Sequence, residues 1–298
     1  MSEEPWSIHV EPMVLLPGRS ANVTLQYNPE RDHEARSATA VLRCVERYRY
    51  DRSETMAGGD GKMTTHTVTH TDFKELARSE VTLSGPARYL RGQQVTWHFT
   101  VEVPGLGPAS FEGEALRCDW TIEVRLDVPM GFDVSLVHPV RVAQPMALLR
   151  AGVVDLGQYG LFEEAPVNVD AHPAQIGLEP VPLNLQAPFT GVFTVETGPP
   201  INVQEVRLEL RVDVQVTVSG GHHEVIVAGH GRLEAEPGPF GGGLAVHSFS
   251  ADAPGVWLPS VDLPHGRARG SFHVILAVAR SPDTHYARDI ALATTAEL

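Results

Sequence analysis

Alternation of polar and apolar residues is the feature that most restricts how this 298-residue chain can fold. The clearest runs are residues 121–128 and 205–216, and shorter runs occupy residues 22–27 and 96–103. Side chains of a strand point alternately to opposite faces, so each run predicts a strand with one buried and one solvated face. Glycine and proline pairs between the runs predict turns. We therefore predict an all-β chain.

One segment, residues 71–78, has features of a short helix. Asp72 could cap its N-terminus, with Glu75 three residues later, and Phe73, Leu76 and Ala77 would share one face. So short a helix needs tertiary packing for stability. The fold class therefore includes at most one short helix, lying on a sheet.

The sequence repeats itself at an offset of 150 residues. The offset aligns the apolar residues at 122, 124, 126 and 128 with those at 272, 274, 276 and 278, and it also aligns five identical pairs. The identical pairs are Phe99 with Phe249, Pro104 with Pro254, Gly105 with Gly255, Ser110 with Ser260, and Arg117 with Arg267. We predict two tandem antiparallel β-sandwich domains of immunoglobulin-like type, 1–145 and 146–298. Residues 146–160 are either a linker or the first strand of the second domain.

Charge and hydropathy exclude several classes of protein. With 37 acidic and 23 basic residues the net charge is −14, which disfavours binding to a nucleic-acid backbone. No run reaches the roughly 18 apolar residues of a membrane helix, and the acidic N-terminus is not a secretory signal. We predict a cytoplasmic protein without a transmembrane segment, and peripheral membrane contact stays open.

Two cysteines, Cys44 and Cys118, are the only ones in the chain. Both lie in predicted strands. A disulfide-rich secreted scaffold would carry more cysteines at shorter spacing. We predict two reduced, partly buried thiols, and a single long-range disulfide is the alternative.

The first half carries a group of motifs. A strand over residues 97–103 ends at Pro104, the turn Pro-Ala-Ser-Phe-Glu-Gly occupies residues 108–113, and the next strand opens with Arg117-Cys118-Asp119-Trp120. This arrangement resembles the arrestin family in its broad sense, which includes α-arrestins, Vps26-like proteins and bacterial sporulation-control proteins. The arginine-rich bias fits a bacterial source. The resemblance implies two curved β-sandwiches that act as a binding scaffold for a protein or peptide partner.

The sequence also departs from that family. The second half keeps Pro259-Ser260 but lacks the aromatic residue and the glycine of the turn. No Pro-Pro-x-Tyr motif is present, and the chain ends soon after a last predicted strand at residues 289–294, so no regulatory tail is expected. These departures disfavour the tail-gated behaviour of animal arrestins.

Histidines are the candidate metal ligands. On a strand, His66 and His70 would lie on one face about 13 Å apart, too far for one ion. His222 and His223 would point to opposite faces, and His230 follows seven residues later. We predict no metal site, and a pH-responsive surface stays an alternative.

The sequence contains no Gly-x-Ser-x-Gly elbow, His-Glu-x-x-His motif, P-loop or dinucleotide fingerprint. We therefore predict no enzyme activity and no cofactor, and we assign no catalytic, cofactor-binding or metal-binding residue.

Three features could serve binding. Glycine-rich segments 51–62 and 234–243 predict long loops, and edge strands could accept a partner strand. The strand at residues 41–50 is basic and aromatic, and its arginines could meet an acidic peptide or lipid headgroup, although pairing with glutamates of neighbouring strands is favoured. The arginines and tyrosines of this strand are Arg43, Arg47, Tyr48, Arg49 and Tyr50.

The sequence therefore predicts a non-catalytic interaction scaffold or adaptor. Alternatives are a structural subunit of a larger assembly, Vps26-like, and a carbohydrate- or ligand-binding pair of sandwiches. The last would show exposed aromatic residues on one face, whereas Trp97, Trp120 and Trp257 are expected in or beside core strands. The partner and the oligomeric state are not specified by these patterns.

Overall fold

The computed structural model describes residues 5–57, 63–105, 107–145, 166–167, 174–197, 201–218, 220–233, 238–240 and 242–296. Strands and connecting segments account for all of these residues, with no helix among them, so the all-β prediction is confirmed. The strands up to residue 145 are β1 (Trp6–Glu11), β2 (Val14–Leu15), β3 (Ser20–Tyr27), β4 (His33–Ala35), β5 (Ser37–Ala57), β6 (Met63–Ser84), β7 (Ala87–Tyr89), β8 (Val95–Glu102), β9 (Phe111–Glu112), β10 (Leu116–Asp127), β11 (Val134–Val142) and β12 (Gln144–Pro145). The later strands are β13 (Pro166–Val167), β14 (Ala174–Glu179), β15 (Leu183–Asn184), β16 (Phe189–Thr197), β17 (Ile201–Val216), β18 (His222–Leu233), β19 (Gly238–Phe240), β20 (Gly243–Ala251), β21 (Val261–Leu263), β22 (Gly266–Val278), β23 (Thr284–Ile290), β24 (Leu292–Ala293) and β25 (Thr295–Ala296).

The chain forms two compact units, and neither is a continuous stretch of sequence. Unit 1 consists of residues 1–47, 73–110 and 118–145, and unit 2 consists of residues 48–72, 111–117 and 146–298. The predicted domain limits, 1–145 and 146–298, stay a prediction. Residues 146–160, interpreted as a linker or a strand, lie outside the described residues.

Both parts of the chain use one pattern of strands. A three-stranded sheet has the order β1-β3-β8 in the first part and β14-β16-β20 in the second. A larger sheet contains the order β11-β10-β5-β6 in the first part and β23-β22-β17-β18 in the second. These tandem antiparallel sheets agree with the predicted pair of sandwiches.

The buried faces of the strands are those that the alternation predicted. In β10, Ile122, Val124 and Leu126 are fully buried, and in β22 Phe272, Val274 and Leu276 are 2% exposed or less. Strand β17 buries every second residue, namely Val206, Leu208, Leu210, Val212, Val214 and Val216. Full burial of one such side chain stabilises a fold by about 1.5–3 kcal/mol, so these faces account for much of the stability of each core.

The repeat extends to individual hydrogen bonds and turns. Ser110 bonds to Val142 as Ser260 bonds to Leu292, at the same 150-residue offset and at nearly equal distances. The turns between β10 and β11 and between β22 and β23 both contain a residue with positive φ, Met130 at 54° and Arg280 at 61°. The two halves therefore share local geometry even where their residues differ.

The predicted helix at residues 71–78 is wrong, because these residues lie within β6, which pairs with β5. Asp72 caps no helix, and its carboxylate accepts a hydrogen bond from the Tyr50 hydroxyl at 3.0 Å. Phe73, predicted to pack on a sheet, is 76% exposed. A ladder along a long hairpin satisfies backbone groups that an isolated helical turn would leave unpaired.

Candidate interaction surfaces

The two glycine-rich segments contain more regular structure than the sequence predicted. Residues 51–57 of the first predicted loop continue β5, and residues 58–62 lie outside the described residues. Side chains tie this part of the hairpin together, since the Thr69 hydroxyl donates to Asp51 at 2.7 Å. Within the second predicted loop, residues 238–240 form β19, which pairs with β17. The expectation of two long loops is therefore wrong for these residues.

The basic strand is neutralised by carboxylates in unit 1. The guanidinium of Arg43 forms an ion pair with Glu123 and lies 4.0 Å from Glu75. Arg47 Nε lies 3.2 Å from Asp119 Oδ2. The favoured interpretation, pairing with glutamates of neighbouring strands, is confirmed for Arg43, whereas the acidic partner of Arg47 is an aspartate.

A row of four rings crosses unit 2. Tyr48 stacks on His265 with ring centroids 4.3 Å apart, Tyr50 lies 6.1 Å from Tyr48, and His70 lies 5.6 Å from Tyr50. The hydrogen bond to Asp72 raises the pKa of Tyr50 above its usual value. The two tyrosines of the basic strand are thus held by stacking, with their rings only partly exposed.

Three of the candidate histidines each lie next to a different carboxylate. His70 lies 3.2 Å from Glu54, His222 lies 3.7 Å from Asp51, and His223 lies 2.7 Å from Asp213. His66 and His230 are exposed on β6 and β18. Within the described ranges, no three histidine, cysteine or acidic side chains lie close enough together to hold a metal ion.

The two cysteines meet in the core of unit 1. Cys44 and Cys118 are both free and buried, and their Sγ atoms lie 3.1 Å apart. A disulfide requires about 2.05 Å, so the contact is a thiol–thiol hydrogen bond. This hydrogen bond and burial raise the pKa of the Cys118 thiol well above its usual value. The pair is more deeply buried than the sequence predicted.

One histidine that the sequence did not single out is strongly affected by its surroundings. His273 lies in β22 and its Nε2 is 2.9 Å from the Ser271 hydroxyl. Burial, with a smaller contribution from the nearby Arg211 guanidinium, lowers the pKa of His273 to about 4, and Glu209 partly opposes the shift. His273 is therefore neutral at pH 7.

An aromatic cluster occupies one end of unit 1. Trp6 stacks on Tyr27 at 4.1 Å, and Trp97 lies 6.4 Å from Trp6 and 6.1 Å from Tyr89. Trp97 is only partly buried, as is Trp257 in unit 2, whereas Trp120 is 1% exposed. Trp97 lies in β8 and packs against the buried cluster that contains Tyr27 and Tyr89, so the expectation of a place in or beside a core strand is confirmed for Trp97 and for Trp120.

The outer face of the sheet β14-β16-β20 in unit 2 combines exposed apolar side chains with uncharged polar ones, and its charged residues are Glu179 and Glu196. It carries Leu244, Val246 and Val192, which are 71%, 58% and 39% exposed. Beside them lies a cavity of about 640 Å³ lined by residues that include Gly177, Thr190, Ser248 and Ser250. We call this face, together with the edge strand β20, the docking surface.

The corresponding sheet of unit 1, β1-β3-β8, differs at the positions of the exposed apolar residues of β20. The equivalents of Leu244 and Val246 are the polar residues Gln94 and Thr96. The 150-residue offset places Val246 on Thr96 and Ser248 on His98, and His98 is bonded to Thr24 at 3.2 Å. Comparison of the two halves position by position would have revealed this difference in the sequence. The prediction of binding edge strands named no strand, because strand order cannot be read from local alternation.

No described residue belongs to a helix long and apolar enough to cross a membrane. Residues 20–148 match a family model described as "Arrestin (or S-antigen), N-terminal domain". The match begins with β3, continues past β12, and contains the motifs at residues 97–120. No curated protein matches the chain.

Proposed function

We propose that this chain, whose residues 20–148 match the arrestin N-terminal domain model, is a non-catalytic adaptor of the arrestin-like superfamily which binds an extended segment of a protein partner along the docking surface. At the family level, an arrestin-like domain supports a role as adaptor or scaffold with protein partners. We propose further that the protein works in the cytoplasm of a bacterium, for which the predominance of arginine over lysine is the support.

The observation that carries this proposal is the composition of β20 at the edge of its sheet. Among the described strands, β20 pairs with β16 alone, so no described strand occupies its other side, where a partner strand could pair. Its nine residues, Gly243–Ala251, contain no charged side chain apart from the ionisable His247. Edge strands that avoid pairing usually carry charges, as β6 does with Lys74, Glu75 and Arg78.

The docking surface also provides contacts for side chains. A strand added beside β20 would gain main-chain hydrogen bonds and place alternate side chains over Leu244 and Val246. The charged side chains on the outer face are Glu179 and Glu196, both exposed. We therefore expect the partner segment to be apolar at alternate positions, with a basic residue near Glu196, which lies opposite Leu244.

Selection from a library of random peptides, with the full chain as bait, tests this proposal. Selected peptides should bind the unmodified protein and lose at least tenfold in affinity for Val246→Lys, since a buried or repelling charge at the edge opposes strand addition. Thr96→Lys is the matched control, because Thr96 occupies the equivalent position of unit 1. Equal binding to both variants, or failure to select any peptide, would contradict the proposal.

A further inference from the structure

The turn that joins β10 to β11 in unit 1 carries two large apolar side chains in solvent. Met130 and Phe132 are 107% and 91% exposed, which are the highest values among the large apolar residues of the described chain. A single exposed apolar residue is ordinary at a protein surface, but two at one turn form an apolar projection. We call residues 129–132, Pro-Met-Gly-Phe, the apolar tip.

The backbone of the apolar tip is held in place on both sides. The Gly131 amide donates to the Val128 carbonyl at 3.4 Å, and the Val128 amide donates to the Asp133 carboxylate at 3.1 Å. Val128 and Val134, which flank the turn, pack against the buried cluster that contains Tyr27. The fold therefore keeps the two apolar side chains in solvent, where they gain free energy only if an apolar phase outside this unit covers them.

Two ion pairs lie at the base of the apolar tip, and in each the cation is the more exposed partner. The Arg36 guanidinium lies 2.7 Å from Asp127, and Arg125 Nε donates to Asp133 at 2.7 Å. The arginine side chains are 65% and 67% exposed, whereas the aspartates are 36% and 28% exposed. In a chain with a net charge of −14, this turn therefore presents guanidinium groups to solvent beside an apolar projection.

The equivalent turn of unit 2 lacks this combination. Its backbone has the same geometry, since Arg280 has a positive φ as Met130 does. The 150-residue offset places Arg280 on Met130 and Pro282 on Phe132. The fold therefore does not require large apolar residues at this turn, and their presence in unit 1 points to a contact made by unit 1.

Shape and charge together indicate what covers the tip. A convex apolar tip can enter a deformable apolar phase directly, whereas a protein partner would need a matching pocket. A lipid bilayer offers such a phase at the boundary of its acyl chains, and its phosphates lie just above that boundary, where guanidinium groups can pair with them.

We propose that the apolar tip inserts into the surface of a phospholipid membrane, with Arg36 and Arg125 meeting lipid phosphates. Two side chains make a weak anchor, so the contact is reversible. It goes beyond the adaptor function, since it lies in unit 1 and uses no residue of the docking surface.

Flotation of the full chain with lipid vesicles tests this proposal. The protein should float with phosphatidylcholine vesicles, and added phosphatidylserine should strengthen binding at physiological salt, where exposed charges more than about 8 Å apart are largely screened. The double variant Met130→Asn/Phe132→Ser should lower the partition coefficient at least tenfold. Asparagine tolerates the positive φ of residue 130, and both positions are exposed, so the variant should fold.

Met13→Asn is the matched control. Met13 is 82% exposed and precedes β2, which pairs with the end of β11 remote from the apolar tip. Its partition coefficient should equal that of the unmodified protein. As a second measurement, brominated lipids should quench the added fluorescence of Phe132→Trp, because the new indole would lie among the acyl chains.

The proposal is overturned if binding is unchanged in the double variant, falls equally in Met13→Asn, or is weakened by phosphatidylserine. Absence of quenching in Phe132→Trp would also overturn it. If no vesicle binds the unmodified protein, the membrane is excluded as the partner and a protein with a pocket for the tip takes its place.

Discussion

Ser110 and Val142 exchange two hydrogen bonds in unit 1. The Ser110 amide donates to the Val142 carbonyl at 2.8 Å, and the Val142 amide donates to the Ser110 hydroxyl at 3.0 Å. Ser260 and Leu292 repeat the exchange in unit 2 at 2.9 and 3.0 Å. In each unit the serine hydroxyl accepts the hydrogen bond that a backbone carbonyl would accept in a regular pair of strands. This explains why serine occurs at both position 110 and position 260.

We expect Ser110→Ala and Ser260→Ala each to lower the free energy of unfolding by about 1–3 kcal/mol, the cost of leaving a buried amide N–H without an acceptor. Both serines are at most 1% exposed. Urea denaturation of each variant measures the change. Ser250→Ala, at an exposed position, should alter stability by less than about 0.5 kcal/mol, and an equal loss in all three variants would contradict the interpretation.

Cys44 and Cys118 should be unreactive in the folded protein, because both are buried and the pKa of Cys118 is raised. A colorimetric disulfide reagent at pH 8 should detect no thiol within minutes. The same reagent should detect both thiols after unfolding in guanidinium. Rapid reaction of one thiol in the native protein would show that the pair is more accessible than the structure indicates.

Gly220→Ala should destabilise unit 2 strongly. Gly220 has φ of +88°, and a Cβ atom there would lie 1.8 Å from the Asp51 carbonyl oxygen. The left-handed conformation alone costs a residue with a side chain about 1–2 kcal/mol, and the clash adds to this. Thermal unfolding checks the prediction against Gly85→Ala, where a Cβ atom would meet nothing within 4 Å; similar melting temperatures for the two variants would refute it.

The low pKa of His273 predicts a loss of stability in acid. Its pKa is about 4 in the fold against an ordinary value of 6.5, so between these values the unfolded chain binds a proton that the folded chain does not. The free energy of unfolding should therefore fall as the pH drops from about 7 towards 4. Arg211, Glu209 and His285 are the charged or titratable groups that influence His273.

His273→Asn should reduce this dependence on pH, as measured by urea denaturation at pH 7 and pH 5. His66→Asn, at an exposed position on β6, is the matched control and should leave the dependence nearly unchanged. If His273→Asn lost as much stability on acidification as the unmodified protein, burial of His273 would not be the cause.

The strands could be predicted because alternation is a local property. Residues 121–128 and 205–216 show it without interruption, and β10 and β17 bury the predicted faces. The prediction for residues 71–78 was wrong because local propensity is weak and pairing with β5 overrides it. Asp72 found its hydrogen-bond partner in Tyr50, 22 positions away, and no local pattern contains that information.

The candidate sites depended on relationships that a single pass along the sequence does not show. Leu244 and Val246 are important because β20 lies at a sheet edge, which follows from the order of strands. The basic strand was a local feature, and its predicted pairing with a glutamate is confirmed for Arg43.

The composition of unit 2 limits how this protein can be dissected. Residues 48–72 and 111–117 belong to unit 2 although they are encoded before position 146. Proteolysis or truncation at one peptide bond therefore cannot release unit 2 as a complete folding unit. A fragment that begins at residue 146 would lack the rings of Tyr48, Tyr50 and His70 that stack in line with His265. Studies of unit 2 in isolation would need residues 48–72 and 111–117 to be joined to residues 146–298.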